Sequence, residues 1–362
     1  MNESLPNQGM LPPGCTVYMT LGGPPPSSTT ELKTLLIFFA VISIVTFPFT
    51  AALNTLVIMA VKTKSRMRAI KSNILLACLA TTDLMVGVIV QPMFIASVII
   101  IVQGKITTRS CELQSITQHF MTVLCDTSLI HLALISGERY VVMKHTFSYN
   151  TALVTEARLL TCSSLAWLFS LILHTTHLTE NKTVFFLTKT VFIGLCVAFI
   201  TLCQITVYRE VLRHEQQLST QQVTDEAKQK ILKGKKAFKL TAIVVLLLFI
   251  CYIPLHVFAV ILINFRRSMS VQIVYACFFT ARRLVILNSF LNPIVYSVRM
   301  RQFRVAFIEL TCRATNIAEA EEIELRVFGS HNTVGPVGRP VGQAGQRCEG
   351  AQQNTEQGNV NN

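Results

Sequence analysis

Long apolar runs separated by short polar connections dominate the chain. Seven can be marked, over residues 34–61, 73–101, 111–143, 158–178, 184–212, 237–264 and 271–298. A bilayer core about 30 Å thick needs roughly 20 apolar residues per helix, and each run is long enough. In hydrocarbon every backbone N–H and C=O must be satisfied within the segment, and the alternating pattern of membrane β-barrels is absent. The pattern therefore predicts an all-α membrane protein, a seven-transmembrane-helix bundle over residues 34–298. Beyond it, Arg299, Arg301 and Arg304 interleave with Phe303, Val305, Phe307 and Ile308. This predicts a short amphipathic eighth helix over residues 299–314, lying on membrane lipids of the inner leaflet. Residues 1–33 are rich in Pro and Gly, and residues 315–362 run from an acidic patch (Glu319, Glu321, Glu322, Glu324) into a Gly-, Gln- and Asn-rich tail. Neither segment has apolar periodicity, so both are expected to be disordered.

Composition supports a membrane chain over a soluble one: 51% of the 362 residues are hydrophobic and 14% charged. Thirty-two Lys and Arg against nineteen Asp and Glu leave a net charge of +13, which would fit nucleic acid if the basic residues formed a stripe. They lie between apolar runs instead, so no nucleic-acid partner is expected. Lys62, Lys64, Arg66, Arg68 and Lys71 fall in the first connection, and Lys228, Lys230, Lys233, Lys235, Lys236 and Lys239 in the fifth. By the positive-inside rule those connections face the cytoplasm, and the amino terminus lies outside a plasma-membrane protein. The sequons at Asn2 and Asn181 fall on the outer side, where glycosylation is possible. No basic flank and apolar stretch resembling a signal peptide occurs in residues 1–30, so the first span is expected to direct insertion. Most of the eleven cysteines sit inside spans as small apolar residues; Cys15 and Cys111 are outside, and Cys277 is near the outer rim. No CxxC pair or His/Cys cluster points to zinc. Cys312, closing the amphipathic helix, is a candidate for palmitoylation, with an unmodified thiol equally open.

Polar residues inside spans are costly and mark function by default. Here they include Asn54, Asp83, Asp126, Ser128, Glu138, Arg139, Arg282, Arg283, Asn288, Ser289 and Asn292, with Pro254 and Pro293 as hinges in spans six and seven. Several stand in a recognisable order: Asn54, Leu79-Ala80-Thr81-Thr82-Asp83, Glu138-Arg139-Tyr140, Trp167, Tyr208, the Pro254-bearing sixth span and Asn292-Pro293-Ile294-Val295-Tyr296. Over roughly residues 34–312 the chain resembles a rhodopsin-like (class A) G-protein-coupled receptor. Cys125-Asp126-Thr127-Ser128 and the tract from Glu138 to Tyr149 are most similar to the amine-, adenosine- and melatonin-receptor side of that family.

The resemblance implies roles. Asp83, Ser128, Asn288, Ser289 and Asn292 match the family's sodium pocket, whose oxygen ligands suit a hard cation; the alternative is a polar knot of water without an ion. Arg139 matches the central switch, restrained by Glu138 and released toward a heterotrimeric G protein, with Tyr140 beside it. Tyr208 and Tyr296 match the tyrosines that meet it after the sixth helix swings outward, and Phe147 matches the loop residue that inserts into the G protein. No cofactor is expected beyond a modulatory sodium ion. Retinal is excluded because residues 271–298 contain no Lys for a Schiff base.

The departures matter as much. The second outer loop has no Cys, and Cys111 lies three residues before the usual half-cystine position, Gln114, so its partner is either Cys15 or none. Tyr252 replaces the sixth span's usual Trp, Leu248 its Phe, and Ile200 the fifth span's proline. Gly234 stands where many members carry an acid that clasps the switch arginine, which implies elevated basal activity. The amine counter-ion position is Met121, while Asp126 is deeper and turned toward spans four and five, so a biogenic amine is disfavoured. Arg282, Ser289 and Tyr296 are spaced by seven and share an inward face. The planar fork of Arg282 suits a carboxylate or phosphate, which predicts an acid-bearing small extracellular ligand; pairing with Glu112 or headgroups is the structural alternative. Gln91, Gln118, Met121, Tyr252 and His256 are further pocket candidates by position. No protease or HExxH motif supports an enzyme. A non-signalling scavenger receptor is the main alternative, with a transporter behind it. Few Ser and Thr follow residue 314, so arrestin recruitment is expected to be weak.

Overall fold

Each apolar run forms a helix, as the need to satisfy backbone groups inside hydrocarbon requires. The computed structural model describes residues 15, 21, 30–104, 107–144, 154–175, 182–220, 225–265, 268–312 and 316–328, and these contain no strand. The helices are α1 (Thr30–Thr63), α2 (Lys71–Val102), α3 (Thr108–Lys144), α4 (Glu156–Thr175), α5 (Lys182–Thr220), α6 (Asp225–Phe265), α7 (Val271–Arg299), α8 (Arg301–Thr311) and α9 (Ile317–Phe328). Six are long and apolar enough to cross a bilayer, and α6 contributes the apolar stretch Ala242–Phe258. In the apolar window of α3 61% of residues are buried against 17% for α5, so α3 is an inner helix and α5 a peripheral one. Leu165, Ile172, Leu195, Leu202, Ile250 and Val257 are large, apolar and exposed, as surfaces against lipid should be.

Most boundaries differ from the sequence expectation by a few residues, with two larger exceptions: α5 and α6 run past their apolar stretches into the polar connection, to Thr220 and from Asp225. At the amino terminus, Thr30–Lys33 belong to α1 rather than to a disordered head. Cys15 and Leu21 are buried, and Cys15 forms a disulfide with Cys111 across a Cα–Cα distance of 4.9 Å. Of the two possibilities the sequence leaves open for Cys111, the bridge to Cys15 is the one formed.

The second correction concerns the tail, where residues 317–328 form α9. The Asn316 side chain accepts from the Glu319 amide at 2.9 Å, capping the helix, and Arg326 donates to Glu322 four residues earlier. Its main partner is α8: Glu324 accepts from Arg301 and Arg304 at 2.7–2.9 Å, and the Arg304 guanidinium lies 5.2 Å from the Phe328 ring. Burial alone would push the Glu324 carboxyl up, but the two guanidiniums outweigh it and hold it below the ordinary value. The clasp is thus fully present above the ordinary carboxylate range and is lost as pH falls through the lowered value. Its apolar residues do recur at helical spacing, but the glutamate run and the Gly-rich tail beyond it pointed to disorder.

Within α2, residues Val86–Val90 form a π-helical turn. Pro92 has no N–H and its ring crowds the carbonyl four residues back, at Val88, so the wider turn relieves a local conflict. At the same level Gly87 lets α1 approach: a Cβ there would lie 3.1 Å from Thr50 Cγ2 and 3.4 Å from the Ala51 nitrogen. Gly87→Ala should be accommodated with a small loss. Gly87→Leu should cost about 1–3 kcal/mol by overpacking, read as a lower melting temperature in detergent and reduced surface expression.

Candidate functional site

The polar residues that the spans bury fall into four places. The first is a stripe on α1. Ser43, Thr46, Thr50 and Asn54 recur at spacings of three and four and so share one helix face. Each hydroxyl donates to the carbonyl four residues earlier at 2.8 Å, which leaves its oxygen free to accept from neighbouring helices. Arg283 of α7 donates to Ser43 at 2.6 Å and to Thr46 at 2.7 Å. The Thr46 hydroxyl shares its one proton between the Ile42 carbonyl and Gln91 Oε1 of α2, at 3.2 Å; Gln91 donates to Thr50 at 3.3 Å, and Asn54 donates to the Ser289 carbonyl of α7 at 3.1 Å. Gln91 is therefore not the pocket residue its position implied. Both ends of its amide are engaged by α1 hydroxyls.

The second place is the centre of the bundle. Asp83 is fully buried and accepts from Asn292 Nδ2 at 2.8 Å. Around it Asn54 Oδ1, Asp83 Oδ1, Ser128 Oγ, Asn288 Oδ1 and Asn292 Oδ1 are buried without a hydrogen-bond partner. Ser289 is buried on the same helix face. An oxygen-rich set short of donors is the chemistry that a hard monovalent cation or ordered water satisfies.

The third lies toward the Cys111 end. Arg282 is 2% exposed; its Nε donates to the Met121 sulfur at 3.1 Å and its guanidinium sits 5.0 Å from the Phe278 ring centroid. Both terminal nitrogens, Nη1 and Nη2, have no hydrogen-bond partner. One turn along α3 from Met121, the Cys125 carbonyl accepts from the Tyr252 hydroxyl at 3.2 Å, so Arg282, Met121 and Tyr252 join α7, α3 and α6 at one level. Gln118 donates to Thr122 and leaves its carbonyl oxygen without a partner; His256, one turn from Tyr252, has an unpartnered Nε2. The one acid near this depth on α3, Asp126, is already paired: Lys189 of α5 donates to it, and both are buried. The turn of Asp126 away from the bundle axis was legible; its partner was not, because Lys189 lies in an apolar run near the start of α5. His131, likewise unread in the sequence, links Thr127 and Ser163 of α4 at 2.8 Å each.

The fourth is the opposite end. Arg139 lines a narrow, partly open cleft with Tyr296, Ser136, Val244 and Val245. Its ion pair with Glu138 is long, 3.5 Å from Nε, and adds no hydrogen bond. Tyr140 accepts from Lys144, and Tyr208 is exposed on α5. Cys312 is an exposed free thiol. Pro254 and Pro293 lie inside α6 and α7 as expected. Phe147, Asn2 and Asn181 fall outside the described residues.

Known proteins share this pattern of spans and motifs. Residues 53–296 match the family described as 7 transmembrane receptor (rhodopsin family), which is more than half of the chain. The protein belongs to that family and is a G-protein-coupled receptor, not an enzyme. It is 25% identical to the adenosine receptor A2b of Gallus gallus, over 76% of this chain and 88% of that one. It is equally identical to the histamine H2 receptor of Cavia porcellus (86% and 90%) and the adenosine receptor A2a of Equus caballus (79% of each).

The buried Asp126–Lys189 pair makes a sharp prediction. Asp126→Ala or Lys189→Ala alone leaves one charge uncompensated and should cost about 3–5 kcal/mol. The double change to Leu and Met should recover most of that loss, as read from melting temperatures of the four purified proteins.

Proposed function

We propose that this receptor sits in the plasma membrane with its amino terminus outside, binds an acid-bearing small molecule at Arg282, and activates a heterotrimeric G protein through Arg139. The observation that carries the ligand class is the buried Arg282 guanidinium with two unpartnered nitrogens. A desolvated cation with spare donors favours a carboxylate or phosphate, bound by two parallel hydrogen bonds. The histamine receptor among the relatives does not argue for an amine here. Met121 offers no charge, Arg282 repels ammonium, and Asp126 is already neutralised by Lys189. Gln118 and His256 are placed to fix the rest of the ligand.

Sodium, held by Asp83, Ser128, Asn288, Ser289 and Asn292, would bias the inactive arrangement; the unpartnered oxygens support it. The long Glu138–Arg139 pair and Gly234 in place of an acid support a high basal activity. Outward movement of α6 about Pro254 then opens the Arg139 cleft to the G protein.

Two experiments test this reading. Ligand-free nucleotide exchange should exceed background in at least one G-protein class, be abolished by Arg139→Ala and be lowered by Gly234→Glu at equal surface expression. Silence in every class would favour the non-signalling receptor. In a screen of small carboxylates and phosphates, an active compound should lose about 30-fold or more in potency with Arg282→Gln, since an unpaired buried partner costs about 2–5 kcal/mol. Equal potency on both would refute the assignment of Arg282.

A further inference from the structure

His119 of α3 and His174, in the last turn of α4, meet at the Cys111 end of the bundle. His119 lies eight residues, about 12 Å, along α3 from Cys111. Its Nδ1 is 2.7 Å from His174 Nε2, and the two rings meet edge to face, with centroids 4.9 Å apart and an interplanar angle of 84°. The other nitrogen of His119, Nε2, lies 3.4 Å from the Ser115 hydroxyl, one turn earlier on the same helix. Both imidazoles are half-buried, so they are held in place yet within reach of solvent.

One tautomer serves all three groups. If His119 Nε2–H donates to Ser115, its Nδ1 keeps a lone pair directed at His174, and the proton between the rings belongs to His174 Nε2. A metal-ligating histidine has this anatomy: one nitrogen facing the ion and the other donating to an oxygen that fixes the ring. We propose that His119 and His174 form a two-histidine site for a late first-row divalent ion, Zn²⁺ or Cu²⁺, bridging α3 and α4. Imidazole nitrogens are the ligands that these ions prefer among side chains. Two bonds of about 2.0–2.1 Å at a tetrahedral angle separate the nitrogens by about 3.3 Å, so the rings need part by less than about 1 Å. The proton on His174 Nε2 passes through water to Nδ1 of the same ring, so both histidines bind the ion as neutral imidazoles, and water fills the remaining positions. No group of three or more His, Cys, Asp or Glu ligands occurs among the described residues, so this is a modulatory site of modest affinity rather than a structural centre. By contrast, the buried His131 has both nitrogens engaged, with Thr127 and Ser163. The sequence does not announce the pair, since its members are 55 residues apart and share no motif.

The test is zinc binding by the full receptor in lipid nanodiscs and metal-free buffer, followed by calorimetry and thermal unfolding. The native protein should bind one equivalent with micromolar affinity and melt at a higher temperature in its presence. His119→Gln and His174→Gln retain a hydrogen-bonding side chain but no imidazole, and each should weaken binding about tenfold or more and remove the thermal shift. A second measurement needs no variant: X-ray absorption of the zinc-loaded native receptor should show two imidazole nitrogens at about 2.0 Å. Absence of binding up to millimolar zinc, equal binding by the variants, or a spectrum with fewer than two imidazoles would each overturn the site.

Discussion

Helices surrounded by lipid gain little by hiding apolar side chains from one another, because the lipid tails are as apolar as the side chains. What distinguishes one arrangement of these seven helices from another is where their polar groups find partners. An interhelical hydrogen bond in a membrane contributes only about 0.6 kcal/mol on average, so Arg283 to Ser43, Gln91 to Thr50 and Asn54 to the Ser289 carbonyl do not hold the bundle by strength. They act through the cost of the alternative. A rotation of α1 by a third of a turn would strand Arg283 and Gln91 in hydrocarbon. The stripe from Ser43 to Asn54 therefore fixes the rotation of α1 against α2 and α7, and with it the position of the central carboxylate.

The same constraint separates two adjacent arginines. Arg283 spends its guanidinium on hydroxyls of α1 and is part of the framework. Arg282, about 100° further round the helix, meets a thioether and an aromatic face, neither of which neutralises it. Identical side chains one residue apart thus differ in what the opposing helix offers, hydroxyls that engage Arg283 and a thioether that leaves both Arg282 terminal nitrogens with donors to spare. Pairing Asp126 with Lys189 sharpens this division, since it removes the acid that would otherwise compensate Arg282 or attract a cation.

The seven helices, the central Asp83–Asn292 contact and the placement of Arg139 beside Tyr296 were legible in the sequence. The helices rest on long apolar runs, whereas the two contacts are what the family resemblance implied, helped at Asp83 by the four-residue spacing of Asn288 and Asn292. What was not legible depends on partners distant in the chain. Lys189 reads as an ordinary basic residue near a span end until Asp126 is seen beside it. Cys111 could not choose its partner by spacing. Residues 317–328 sit in an acidic, Gly-flanked stretch, yet Glu324 finds two arginines in α8 and the helix forms. Gln91 engages Thr46 and Thr50 of α1, just past a local change in helical pitch.

That change of pitch extends beyond one glutamine. The π turn at Val86–Val90 accommodates one residue more than an α-helix would over the same rise, so every α2 side chain from Gln91 to Val102 is rotated by about 100° from where counting forward from Asp83 would put it. Equivalences with relatives drawn position by position hold on the Asp83 side of the turn. Beyond it they hold only for relatives that share the extra residue. Any inference about ligand preference carried from a relative through the outer part of α2 must first establish the pitch of that helix in both proteins.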